Sequence, residues 1–207
     1  MTTPLTLDRL TYRSYEELPE DAKPLADYIL KISSAGLAGP YNALLRSPKM
    51  AKPCLELLDY LRFHSSISKR MTEFAILIQA RINNAPFEWW AHERIGRREG
   101  LDDRIILPLS QAYRPQELDQ EESLVFELCT RLSLAQRLSD ELWNRAMEHF
   151  GEKALIDLVS VSGVYAMVSM LLNAVEVSVP TGAIALEMLD TSVIRERMLA
   201  SSPASSS

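Results

Sequence analysis

Cysteine is scarce. Cys54 and Cys129 are the only two in 207 residues, too few for a disulfide scaffold, so a reducing compartment is the default and a cytoplasmic location is expected. Glycine is scarce too, at 7, which disfavours a β-sandwich built on many tight turns. Basic excess is missing: 22 Lys and Arg stand against 28 Asp and Glu, for a net charge of −6. That balance argues against nucleic acid or an anionic membrane as partner. Three histidines, none in His-x-x-His or His-x-Glu-His spacing, give no expectation of a metal site. There is no glycine-rich phosphate loop, no nucleophile elbow and no basic-aromatic interleaving. The start MTTPLTLDRL has no basic residue leading into an apolar run and does not read as a signal peptide, and SSPASSS reads as a short disordered tail. The longest apolar stretch, Ala154 to Val179, contains Asp157, Asn173 and Glu176. Those groups are costly in lipid, so a buried helix is expected there rather than a membrane span.

What is present is helical periodicity. With 47% hydrophobic and 24% charged residues the composition is that of a globular domain. Leu25, Ile29 and Ile32 within Pro19 to Ser34, and Met50, Cys54, Leu57, Leu58 and Leu61 within Pro48 to Phe63, follow helical spacing. Ser68 to Asn83 has almost no polar face and predicts a helix buried on most sides. Asn83-Asn84-Ala85-Pro86 ends it, and Pro86 opens the next helix, Phe87 to Glu99. Further helices are expected over Asp102 to Gln111, Glu117 to Gln136, Ser139 to about Gly151, and Ala154 to Val175, the last a second buried helix. The fold class is therefore all-α: a single-domain helical bundle whose two buried helices hint at an internal duplication.

The chemistry concentrates between residues 73 and 92. Glu73 lies on the nearly all-apolar helix, where a bare carboxylate costs several kcal/mol and demands a partner or a raised pKa. Glu88 falls in the first turn of the next helix, and His92 lies four residues on, on the same face. If the two helices form a hairpin, both carboxylates and the imidazole converge, an arrangement suited to proton transfer on a small molecule. Plainer roles exist for each: Glu73 as a first-turn acid, Glu88 and His92 as a surface pair, Trp89 and Trp90 as core. Arg94, Arg97 and Arg98 read as a solvated helix face.

Several landmarks carry a resemblance: Gly39-Pro40, Arg70-x-x-Glu73, Glu88-Trp89-x-x-His92 followed by Gly100-Leu101, then Gly163-x-Tyr165-x-Met167 and Leu172-Asn173-Ala174. Over Gly39 to Pro180 the chain resembles the carboxymuconolactone decarboxylase family, grouped with the alkylhydroperoxidase D-like proteins. The resemblance implies a domain over 39–180, with an N-terminal helical extension over 1–38 and a C-terminal helix and tail over 181–207. Peroxidase members of the family carry Cys-x-x-Cys between the Glu and the His; here the cysteine places are Ala85 and Glu88, and the intervening histidine is Phe87. No dithiol forms there, and a thiol peroxidase needs one.

The resemblance thus implies the non-redox branch: a cofactor-independent decarboxylase or isomerase acting on a small carboxylated lactone-like or ring compound. Its catalytic residues would be Glu73, Glu88 and His92, with His92 as proton donor, Glu88 orienting it and Glu73 as the second acid/base group. Phe87, Trp89, Trp90 and Tyr41 would wall the substrate, and Arg70 or Arg81 would supply a cation for its carboxylate. A homo-oligomer, trimer or hexamer, is also implied. The alternatives are an alkylhydroperoxidase-like redox protein and a non-catalytic small-molecule-binding or assembly subunit of the same fold.

Overall fold

Side chains that accept from free backbone N–H groups set most of the helix starts. The computed structural model describes residues 9–33 and 36–200; the leading MTTPLTLD and the SSPASSS ending lie outside the described residues. Ser68 Oγ accepts from the Met71 N–H at 3.2 Å to open α4 (Lys69–Ile82). Asp119 and Glu122 form a reciprocal capping box at α7 (Gln120–Thr130). Ser139 opens α8 (Asp140–Val175) and Asp190 opens α9 (Thr191–Leu199). Prolines start α2 (Pro40–Leu44), α3 (Pro48–Phe63) and α5 (Pro86–Arg98), where the missing N–H has no partner to lose. α1 (Lys23–Ile32) and α6 (Asp103–Ser110) complete the set, and no strand forms among the described residues.

The bundle is organised around α4. Every residue from Met71 to Arg81 is buried, because α5, α7 and α8 pack along it and α3, α6 and α9 close the remaining sides. A helix enclosed in this way must satisfy its polar side chains within the protein. Thr72 donates back to the Ser68 carbonyl at 3.1 Å. Gln79 bonds Ser162 of α8 at 2.7 Å and Ser133 at 2.9 Å. Arg81 donates to the carbonyls of Ser110 at 2.9 Å and Glu187 at 2.8 Å, and bonds Asn84. Gln79 and Arg81 thereby each fix particular neighbours.

Two elements differ from the sequence expectation. The helix expected over Glu117 to Gln136 widens to π-helical geometry at Arg131–Ala135, where Ser133 meets Gln79. The two helices expected on either side of Gly151 are present as the two arms of α8, which part at Gly151, whose φ of 71° and ψ of 170° are not helical. The second arm of α8 is not enclosed like α4: it buries a stripe through Leu155, Leu158, Val161, Tyr165, Val168 and Leu172 and exposes Ile156, Met167 and Met170. α8 is long and apolar enough by composition to cross a membrane, and this stripe lies against the core. The segments flanking 39–180 contribute to the same core through Leu18, Ala26 and Ile29 on one side and Leu186, Ile194 and Met198 on the other.

Two contacts have measurable consequences. Gly39, at the start of α2, has φ of +64°, and a Cβ there would lie 2.7 Å from the Phe87 ring. Gly39→Ala is expected to lower stability by about 1–3 kcal/mol through backbone strain and overpacking, read as an earlier denaturant midpoint. Glu122 is fully buried and accepts from Arg70 and Arg104. Burial alone would raise its pKa, but the two guanidinium groups and the Asp119 N–H hold it at about 2. That stabilisation is complete above the ordinary glutamate value of about 4.3 and is lost as pH falls toward the folded-state value. Glu122→Gln is expected to flatten the fall in stability between about pH 4.3 and 2, measured by urea unfolding across that range.

Candidate active site

The hairpin of α4 and α5 brings three titratable groups together. Ala85 N–H bonds the Ala80 carbonyl at 2.8 Å, closing the turn so that α5 folds back along α4. Gly96 lets the helices approach closely: a Cβ there would lie 3.6 Å from Glu73 Cβ and 2.8 Å from Leu101 Cδ1. Across this contact Glu73 Oε2 lies 2.7 Å from His92 Nδ1. Glu88 Oε1 lies 3.4 Å from His92 Nε2, one helical turn earlier on α5. Glu73 and Glu88 are each 2% exposed and His92 is 8% exposed.

The two carboxylates are not equivalent. Glu73 is in hydrogen-bond contact with the ring, which fixes the proton on Nδ1 and leaves Nε2 as the nitrogen free to exchange one. Glu88 Oε1 is buried and has no hydrogen-bond partner, and no hydrogen bond engages Nε2 among the described residues. Glu73 therefore holds the imidazole at Nδ1, and Glu88 faces Nε2. Burial pushes the Glu88 carboxyl up, only partly opposed by His92 and Arg62. For His92, burial alone would lower the pKa, but the charge and hydrogen bond of Glu73, with Glu88 behind it, raise it above the ordinary value.

The side chains expected to bind substrate are dispersed. Arg70 donates to the Gly100 carbonyl at 3.3 Å and pairs with Glu122. Arg81 is fully buried at the far end of α4, donating to the carbonyls of Ser110 and Glu187. Neither guanidinium joins the Glu73–His92–Glu88 cluster, because each is already engaged in packing two elements together. Trp89 is buried and donates to Glu93 at 2.9 Å, on a different stripe of α5 from Glu88 and His92. Trp90 packs against Phe87 with ring centroids 5.5 Å apart and carries the Arg94 guanidinium 5.1 Å above it. Tyr41, by contrast, acts electrostatically on Arg62 and Tyr165, both neighbours of the cluster.

Arg62 and Tyr165 were not singled out as site residues from sequence. The Tyr165 ring stands edge-on to His92, centroids 5.2 Å apart at 83°. Burial raises its phenol well above the ordinary value, so it stays a neutral donor. Its place on the buried stripe of Asp157, Val161, Tyr165 and Val168 was a readable signal. Arg62 lies in the last turn of α3, where a cation reads only as a favourable helix terminus, and nothing in the sequence marks it. Clefts of about 420 and 290 Å³ open beside α9 and do not include the cluster.

Cys54 on α3 and Cys129 on α7 are unpaired. Burial raises both thiols, Cys129 to about 12, which suppresses the reactive thiolate. Among the described residues no group of three or more His, Cys, Asp or Glu has a metal-binding arrangement.

No protein-family model matches the sequence, and no curated protein matches it. Solved structures match the fold. A peroxidase-related protein from Silicibacter sp. TM1040, itself uncharacterized, aligns with a TM-score of 0.71 at 17% identity, covering 88% of this chain and 96% of that one. The alkylhydroperoxidase AhpD core of an uncharacterized peroxidase-related protein from Ralstonia eutropha JMP134 aligns with a TM-score of 0.68 at 13% identity, covering 85% and 93%. The chain has the all-helical AhpD-like core fold.

The geometry makes the imidazole pKa a direct readout of Glu73. An NMR titration of the wild type is expected to give His92 a pKa above the usual 6.5 or so. In Glu73→Gln the raising charge is gone while burial remains, so the value is expected to fall below that reference. An unchanged titration would mean that the contact does not form in solution.

Proposed function

We propose that this protein is a cofactor-independent acid–base enzyme that decarboxylates or isomerises a small carboxylated lactone-like or ring compound. The observation that carries the reading is the buried imidazole held at Nδ1 by Glu73, with Nε2 turned toward the unpartnered Glu88. In the decarboxylation, the bond between the ring carbon and the carboxylate breaks and CO2 leaves. The electron pair passes into the conjugated lactone carbonyl as a dienolate. His92, as imidazolium, gives its Nε2 proton to carbon, Glu88, whose neutral form burial favours, returns a proton to Nε2, and Glu88 is then reprotonated from water, the source of the one proton the reaction consumes. In isomerisation the same groups remove and return a proton without loss of CO2. The charge and hydrogen bond of Glu73 raise the His92 pKa, which favours the imidazolium.

The exposed apolar stripe of α8, Ile156, Met167 and Met170, supports a homo-oligomer, trimer or hexamer, and the sparse cysteines support a cytoplasmic setting. The relatives in fold are described as peroxidase-related, which favours thiol-based peroxide reduction as the second reading. The two separated, high-pKa thiols count against it.

One experiment separates the two. The wild type, His92→Gln and a Cys54→Ala/Cys129→Ala double variant are incubated with a panel of carboxylated lactones and, separately, with an organic hydroperoxide and a thiol reductant. CO2 release or double-bond migration that drops about 10²-fold or more in His92→Gln and survives in the double variant is the expected result. The rate is also expected to fall as pH rises through the His92 pKa, since only the imidazolium donates. Hydroperoxide turnover abolished in the double variant, with no lactone consumed, would overturn the reading.

A further inference from the structure

We infer that the solvent face of α8 is a two-fold contact: a second copy of this chain lays the same helix against it antiparallel, with Met167 of each copy seated at Gly163 of the other. The inference rests on the homo-oligomer reading and narrows it, since a two-fold contact belongs to a dimer or a hexamer and is absent from a lone trimer.

The face has the period of a helix pair. Ile156, Ser160, Gly163, Met167, Met170 and Ala174 follow one another at intervals of four, three, four, three and four residues, the spacing of a coiled-coil seam. Ser160 is half-buried and the other five are exposed, Ile156 by 56%, Met167 by 42% and Met170 by 62%. The half-buried Val159, Val164 and Leu171 widen the stripe. Charge is confined to its ends, with Glu152 and Lys153 at one and Glu176, paired with Arg9, at the other. Asp157 is the single charged residue between them. It is buried on the core side and accepts from the Ser66 N–H at 2.8 Å. A stripe about 27 Å long can therefore be covered without burying a free charge.

Gly163 points to a covering from outside the chain. Glycine within a helix weakens it, so its presence calls for a packing reason. The chain itself supplies one at Gly96, where a Cβ would press on Leu101 at 2.8 Å, and at Gly39, where it would press on Phe87. At Gly163 a Cβ would meet nothing within 4 Å among the described residues. The absent side chain relieves no crowding in this copy, and a close approach by another surface is what it permits.

Residue size identifies that surface. When two such seams run antiparallel, each position faces its mirror across the centre near Tyr165, so that Ile156 meets Ala174, Ser160 meets Met170 and Gly163 meets Met167. Every layer then sets a large side chain against a small one, and does so twice, as an isologous contact requires. Parallel pairing in register would instead put glycine on glycine, serine on serine and methionine on methionine, leaving gaps beside crowded layers.

The test combines particle mass with cross-linking in the full-length protein. Gly163→Leu improves helix propensity and fills the space that the second copy would occupy. It is expected to halve the particle mass measured by light scattering after size-exclusion chromatography, with the far-ultraviolet circular dichroism retained as the folding control. Ser160→Cys and Met170→Cys are produced separately and co-expressed, then oxidised with copper–phenanthroline, with the wild type as the control for the native thiols. A disulfide between positions 160 and 170, mapped by mass spectrometry, is expected in the co-expressed sample. Neither variant alone is expected to link to itself, because like positions lie about 15 Å apart along an antiparallel seam. Self-linking of either variant alone, or an unchanged mass in Gly163→Leu, would overturn the proposal. A trimeric wild type would overturn it while leaving the homo-oligomer standing, and a monomeric wild type would sink both.

Discussion

The contact on which the site depends is a carboxylate placed against an imidazole where water has little access. Neither Glu73 nor His92 is tolerable alone at that depth, since a bare charge there faces a desolvation penalty of several kcal/mol. Together each supplies what burial takes from the other. The same pairing leaves Glu88 without a hydrogen bond on its inward oxygen. A stable protein seldom leaves a buried acceptor empty, and such vacancies concentrate where chemistry or binding takes place.

The rest of the fold can be read as the support for that contact. α4 is enclosed along its length, so its polar side chains act as fixed attachment points. Glu73 secures α5, Gln79 secures α8 and the π-helical turn, and Arg81 secures α6 and the C-terminal segment. Gly96 and Gly39 are the places where a missing side chain lets backbones and rings come close enough for this. Rigid placement of a donor and an acceptor on helices, rather than loops, is what proton transfer requires.

Much of this was legible in the sequence because it depends on local rules. Helical period, the proline at the start of α5 and the near-absence of polar residues on α4 predict the hairpin, and the Glu88 to His92 spacing puts both on one face. What was not legible depends on contacts between distant segments. Arg70 and Arg81 have the right chemistry for a substrate carboxylate, but Glu122 and the Glu187 carbonyl, both far along the chain, had already engaged them. Arg62 carries no local mark, and its electrostatic influence on Tyr165 depends on how α3 docks on α8. Nor does spacing say which of two glutamates reaches Nδ1; the crossing of α4 over α5 decides that.

The stitching at the far end of α4 has an evolutionary corollary. Arg81 donates to the Glu187 carbonyl and Asn84 donates to the Leu189 carbonyl at 2.7 Å, so a short run of backbone near the C-terminus supplies an acceptor to a guanidinium sealed in the interior and is pinned beside it. Deleting that run would strand the cation, and replacing the cation would leave the run without its anchor. Position 81 and the 187–189 strap should therefore be gained or lost together among proteins of this shape, and shorter cousins without the strap should carry an apolar residue in the arginine's place.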